Sequence, residues 1–242
     1  MMNDTHPALS PTEMYLERCR ELVDIVAAQK AAIEQAAEWF AASILAGRMV
    51  HLFGSGHSRI MVEEMWPRYG SFPGFHPIVE LSLTFHTSVV GSNGQRQAMF
   101  LENVSGLASR ILRNFDVSPP DSALVISSSG CNRVPIEMAE EFQNRGLKVV
   151  VIVSRHHAEA CASNDPRGRK LTDFADLALD TGAPPGDGHT TVRNLRLRDK
   201  LRAVLGLPHH VFLEYKAHEA SAARGDRQPR PTGPAASLLA SM

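Results

Sequence analysis

Twice in this chain a short apolar run stops abruptly at glycine and serine and gives way to a helical pattern. The first is Val50-His51-Leu52-Phe53-Gly54-Ser55-Gly56-His57-Ser58, and the second is Ala123-Leu124-Val125-Ile126-Ser127-Ser128-Ser129-Gly130-Cys131-Asn132. Each reads as a buried strand that passes through a tight loop to the start of a helix. Strands that alternate with helices in this way build a doubly wound parallel sheet, whose ligands sit beyond the carboxyl ends of the strands. Loops of this make suit a phosphate. Glycine lets the backbone close on the anion, serine offers hydroxyls, and a helix N-terminus adds N–H groups and the positive end of its dipole. Two such loops in one sheet imply one shared ligand.

With 242 residues and 43% hydrophobic content the chain can bury a full core, and one α/β domain with appendages is expected. Its net charge of −1 conceals an asymmetry. Residues 193–242 hold nine Lys/Arg against four Asp/Glu, so that stretch is +5 and residues 1–192 are −6. The basic residues of the tail are scattered among Gly, Pro and Ala without a binding motif, so no nucleic-acid partner is expected. Cys19, Cys131 and Cys161 are odd in number and form no C-x-x-C pair, which argues against a disulfide framework and against a thiolate zinc site. Met1 to Ser10 is polar, and no apolar run approaches the length of a bilayer span, so the expectation is a cytoplasmic protein with no membrane partner.

Ser10-Pro11-Thr12-Glu13 has the form of a capping box with proline at the first helical position. Apolar residues from Leu16 to Ile44 then follow helical steps, with one broken step near Gln29-Lys30, so a long N-terminal helix or a helix pair is expected before Gly47. Its apolar stripe faces either the sheet or a partner subunit. Strands are expected at 50–53, 76–80, 123–127, 148–153 and 176–180, with helices near 58–68, 97–114 and 134–145. Residues 1–9 are expected to be disordered, and 193–242 to be a basic tail that is partly disordered.

The first loop lacks the third glycine of a dinucleotide fingerprint, because Arg59 stands in its place, and neither loop carries the Gly-Lys-Ser/Thr of a Walker loop. In combination, several stretches of the chain resemble the SIS (sugar isomerase) domain family. They are Phe53-Gly54-Ser55-Gly56-His57-Ser58 with Glu63-Glu64-Met65, Pro77-Ile78-Val79-Glu80, Val125 to Gly130 with Asn132, Pro135-Ile136-Glu137-Met138-Ala139, Arg145-Gly146-Leu147-Lys148-Val149, and Asp180-Thr181-Gly182 through Gly186-Asp187. More narrowly, the chain is similar to a bacterial phosphosugar-isomerase branch related to phosphoheptose isomerase. The resemblance covers residues 10–192. It implies a flavodoxin-like three-layer sandwich around a five-stranded parallel sheet, a phosphorylated sugar as ligand, no cofactor, and a homodimer or homotetramer with sites near subunit contacts.

Carried over by position, Ser127, Ser128 and Ser129 match the phosphate-binding serine loop of the family, and Gly54, Ser55, Gly56 and Ser58 form the first loop. Asn132 is a further contact, at the start of a helix expected to supply N–H donors. Glu64, in a Glu-Glu-hydrophobic step followed by Arg68-Tyr69, matches the acidic residue that serves phosphoheptose isomerase as a base. His57 in the first loop and His86 after the second strand are candidate acid–base partners. No metal is expected, because Ile60 stands where the zinc-binding relatives carry a histidine. His156, His157 and Cys161 have ligand spacing but no fourth partner. After about Val192 the resemblance stops, which leaves a shifted reading frame, divergence or a regulatory tail as explanations. The implied activity is aldose–ketose isomerisation of a sugar phosphate through an enediolate. The alternatives are a non-catalytic phosphosugar sensor, or a lyase that cleaves a sugar ether or amine with the same enolising chemistry.

Overall fold

The computed structural model describes residues 10–67, 69–84 and 93–185. The described residues from Glu13 onward belong to one compact unit. His86, Arg68, Gly186-Asp187 and the whole basic tail lie outside the described residues.

Two helices open the fold, α1 (Pro11–Ala27) and α2 (Lys30–Leu45). The break between them falls where the apolar pattern loses its step, and Gln29 fills it. Its side-chain Nε2 donates to the Asp180 carbonyl at 2.8 Å, and its Oε1 accepts from the Asp180 N–H at 2.7 Å. A side-chain amide thus pairs with the last residue of an edge strand as a neighbouring strand would. Much of the apolar stripe of α1 is exposed in the single chain, Met14, Tyr15, Leu16, Val23 and Val26 included. On α2 the stripe turns inward, with Phe40 and Ile44 packed on the sheet and Ser43 Oγ bonded to the Pro120 carbonyl at 2.7 Å and to Ser122 Oγ at 2.8 Å.

The described residues form a five-stranded parallel sheet from β1 (Val50–Gly54), β2 (Phe75–Ile78), β3 (Ser122–Ile126), β4 (Lys148–Val153) and β5 (Leu177–Asp180), in the order β2-β1-β3-β4-β5. Side chains alternate between faces, so register decides the layers. Phe53 lies opposite Val125 and Val125 opposite Val151, and these point with Ala123, Val149 and Val153 into the larger core, against α6 (Leu107–Leu112) and α7 (Arg133–Asn144). Leu52, Val50 and Ile126 point the other way, onto Val62 of α3 (Arg59–Glu64) and Phe40 and Ile44 of α2. Burial on both faces is the condition under which a parallel sheet is stable, and it explains why β4 reads as an unbroken valine-rich run.

The remaining helices are α4 (Leu81–Thr84), α5 (Asn93–Leu101) and α8 (Arg155–Ala160), with 3₁₀ turns at Gly56–Ser58 and Leu171–Phe174. The single helix expected at 97–114 is two. Gly106 adopts φ +77°, and its N–H together with Ser105 Oγ bonds the Glu137 carboxylate at 2.8 and 2.9 Å, which starts a new helix there. The helix expected to reach residue 68 stops at Glu64.

At the amino edge of the sheet a charge cluster around the buried Asp121 ties the turn after α2 to β1, β2 and the start of β3. Arg48 grips Asp121 with Nε at 2.9 Å and a terminal nitrogen at 2.7 Å, and the Met49 and Ser118 N–H groups also donate to that carboxylate. His51 Nε2 lies 3.2 Å from Asp121, and His51 Nδ1 lies 2.9 Å from His76 Nδ1. Because the carboxylate can only accept, His51 donates to it from Nε2, and the two Nδ1 atoms of His51 and His76 share one proton between them.

Candidate functional site

The sheet order places a topological switch between β1 and β3, and both Gly/Ser loops leave the carboxyl ends of those two strands. Gly54 is there for space: a Cβ would stand 2.9 Å from the Ser58 carbonyl oxygen, so only glycine lets the 3₁₀ turn fold back on the strand. The turn closes with the Ser58 N–H donating to the Ser55 carbonyl at 3.1 Å. In the second loop Gly130 is in the left-handed region at φ +62°, and its N–H donates to Ser127 Oγ at 3.2 Å, while the Cys131 N–H donates to Ser129 Oγ at 3.3 Å. A hydroxyl that accepts from backbone keeps its own proton to donate. Ser127 and Ser129 are thereby fixed in place and still able to bond an anion.

One cavity of about 550 Å³ receives both loops. Ser55, Gly56, His57 and Ser58 line it from the first loop, and Ser127, Ser128, Ser129 and Asn132 line it from the second. Six further residues complete the lining, Arg59, Ile60, Ala98, Met99, Glu102 and His157, none of them expected there from the sequence. Glu102, just past α5, receives a hydrogen bond from Ser55 Oγ at 2.8 Å. Burial pushes its carboxyl above the ordinary glutamate value, against the hydrogen bonds from Ser55 and Asn132 that pull it down. His157 on α8 stands with Nδ1 3.3 Å from Ser128 Oγ.

Glu64 is exposed at the end of α3 and does not line the cavity, while its neighbour Glu63 faces Arg59 at 3.9 Å. His57 lines the cavity but is exposed on the turn. Of His156, His157 and Cys161, only His157 lines the cavity. The Cys161 carbonyl is turned toward Cys131 Sγ at 3.7 Å, and no cluster of metal-ligating side chains occurs among the described residues. The helix N-terminus expected to supply donors is already engaged: the Arg133 N–H donates to Asn103 Oδ1 at 3.3 Å and the Val134 N–H to the Glu102 carbonyl at 2.8 Å. The same two bonds hold Glu102 against the second loop. Neither Glu102 nor His157 had a local signal. Glu102 sits in an ordinary helical stretch, and His157 was marked only by its spacing to His156 and Cys161.

The SIS domain model matches residues 14–154, more than half of the chain. This chain belongs to the SIS domain family. SIS domains bind phosphosugars. Among the chain's relatives are UPF0309 proteins. The one from Halalkalibacterium halodurans is 33% identical over 175 residues, covering 72% of this chain and 70% of that protein. One from Listeria monocytogenes serotype 4b is 34% identical over 155 residues, or 64% of this chain and 60% of that protein, so the chain spans less than two thirds of its length. One from Brucella ovis is 34% identical over 173 residues, covering 71% and 66%. Among solved structures, a phosphoheptose isomerase from Francisella tularensis is similar with a TM-score of 0.48 and 19% identity, over 72% of this chain and 84% of that one. No helix among the described residues is long and apolar enough to cross a membrane.

Proposed function

We propose that this SIS-domain protein interconverts an aldose phosphate and its ketose through an enediolate, with the two Gly/Ser loops holding the phosphate. One observation carries the reading: hydroxyls from both loops and a half-buried carboxyl of raised pKa line the same cavity. The hydroxyls of Ser58, Ser127, Ser128 and Ser129 suit the oxygens of a phosphate, while the Ser55 hydroxyl is given to Glu102, and Arg59 in the lining adds positive charge. The volume is within the range of about 300–1,000 Å³ usual for small-molecule sites.

Isomerisation requires a base for the proton on the carbon beside the carbonyl. A carboxyl raised above its ordinary value, once ionised, binds that proton more tightly than an exposed one would, which suits Glu102 to the task. Glu102 takes the proton from C-2, the electron pair forms the C-1=C-2 bond, and the same carboxyl returns the proton to C-1. Glu64, exposed and away from the cavity lining, is assigned no proton in this scheme.

The test is proton NMR of aldose phosphates from triose to hexose in D₂O. Loss of the C-2 proton signal in the presence of the protein is the expected result, with Glu102→Gln slowing the exchange about 10²- to 10⁴-fold and Glu64→Gln far less. An aldose phosphate that binds and shows no exchange would make the protein a sensor instead. A larger loss at Glu64 than at Glu102 would move the base to α3.

A further inference from the structure

The geometry points to His157 as the second proton-transfer group of this cavity, moving the hydroxyl proton between the two substrate oxygens while Glu102 moves the carbon proton. The inference rests on the enediolate reading above and adds a residue to it. Isomerisation moves two protons. One travels from C-2 to C-1, and the other must leave the hydroxyl on O-2 and arrive at O-1, so that the aldehyde becomes an alcohol and the alcohol a ketone. A carboxyl engaged with the carbon proton cannot serve both at once.

His157 is held for this task by a chain of short contacts. The Ser154 side chain, fully buried at the end of β4, caps α8 by accepting the His157 N–H at 3.0 Å. The same hydroxyl donates to the Ala183 carbonyl at 2.5 Å, and the Ser154 N–H donates to the Ser128 carbonyl at 2.9 Å. Strand, helix and serine loop are thus locked to one another, which fixes the imidazole beside Ser128 with Nδ1 at 3.3 Å from Oγ. With the proton on Nδ1 donated to Ser128, that serine keeps its own hydroxyl proton for the phosphate, and Nε2 holds the lone pair. Nε2 takes the proton from O-2 to give an imidazolium, then returns it to O-1. Nothing is consumed, and the ring ends as it began. Glu102 lines the same cavity from the α5 side, bonded to Ser55 of the first loop, so the two groups approach the ligand from different elements.

His157→Asn tests this, because the asparagine amide can keep the bond to Ser128 but cannot relay a proton. Deuterium wash-in at C-2, ketose formation, and the binding of the same aldose phosphates by calorimetry are measured for the wild type and the variant, with kcat followed against pH. The expected result is a fall in ketose formation of about 10²- to 10⁴-fold. KM and affinity should stay within about threefold, wash-in should fall much less than ketose formation, and the imidazole limb of the kcat profile should disappear. Ketose formation within about threefold of wild type overturns the assignment. So does a loss carried by KM and affinity rather than by kcat, which would make His157 a binding residue. A wild type that neither exchanges nor isomerises any probe removes the enediolate reading and this inference with it, a pattern distinct from an active wild type matched by an active variant.

Discussion

At the scale of single residues, Glu102 combines two properties that pull in opposite directions. Its carboxyl is raised by burial, so the folded protein binds that proton more tightly than the unfolded chain does. By linkage its contribution to stability is full below the ordinary glutamate value and is lost as pH rises through the raised one, where the half-buried group must ionise. Glu102→Gln keeps an acceptor for Ser55 and removes the ionisation. Differential scanning calorimetry should therefore show the variant melting higher than wild type at neutral pH and equal to it in acid. A variant that melts lower at neutral pH would mean that the charge is compensated and that the raised value is not a cost to the fold. Sequence alone marked the serines and glycines of the site, because turn chemistry is local and their order along the chain carries it. Glu102 is a polar residue at the end of an unremarkable helix. Only the bonds from Ser55 and from the start of α7 give it meaning, and both cross some thirty to fifty positions of chain. His157 was hidden for the same reason: the Ser128 contact joins residues 29 apart.

At the scale of elements, the strands were readable because residues buried on both faces leave β-branched runs such as Val149-Val150-Val151, and the helix pair was readable from one lost step at Gln29. What the pattern could not supply was where helices stop when tertiary contacts decide it. Gly106 divides one expected helix because Glu137, on another element, captures the freed N–H. The start of α7 likewise shows that a helix N-terminus is no anion site once its first donors are engaged. At the opposite edge of the sheet Asp121 has the converse role to Glu102. Burial alone would raise its carboxyl, but hydrogen bonds from Arg48, Met49, Ser118 and His51 outweigh burial and hold it at about 2. Its lowered value contributes stability above the unfolded aspartate value that is lost as pH falls through about 2, worth about 2 kcal/mol at neutral pH by linkage. Burial and then the neighbouring His51 lower His76, which adds a loss beginning where an ordinary histidine protonates. Denaturant unfolding of Asp121→Asn should show a loss of at least about 2 kcal/mol at pH 7, narrowing as pH falls below 4. An unchanged midpoint at pH 7 would show that the cluster contributes nothing net.

At the scale of the whole molecule, the two ends of the sheet divide the work. The amino edge is locked by the charge cluster around the buried Asp121, and the carboxyl edge gathers loops whose polar groups are turned toward a cavity. Separating them lets the site keep costly groups, such as the raised carboxyl of Glu102, on a frame secured elsewhere. The apolar stripe of α1 is exposed in the single chain, and in the homodimer or homotetramer expected from the sequence a second copy would cover it. The central claim is that both turns hold one phosphate, and phosphorus NMR of an aldose phosphate titrated with the protein tests it most directly. A saturable shift of the phosphate resonance is expected, with Ser58→Ala and Ser128→Ala each weakening affinity about 10- to 100-fold. A resonance that never moves, or one that titrates in both variants as it does in the wild type, would contradict it.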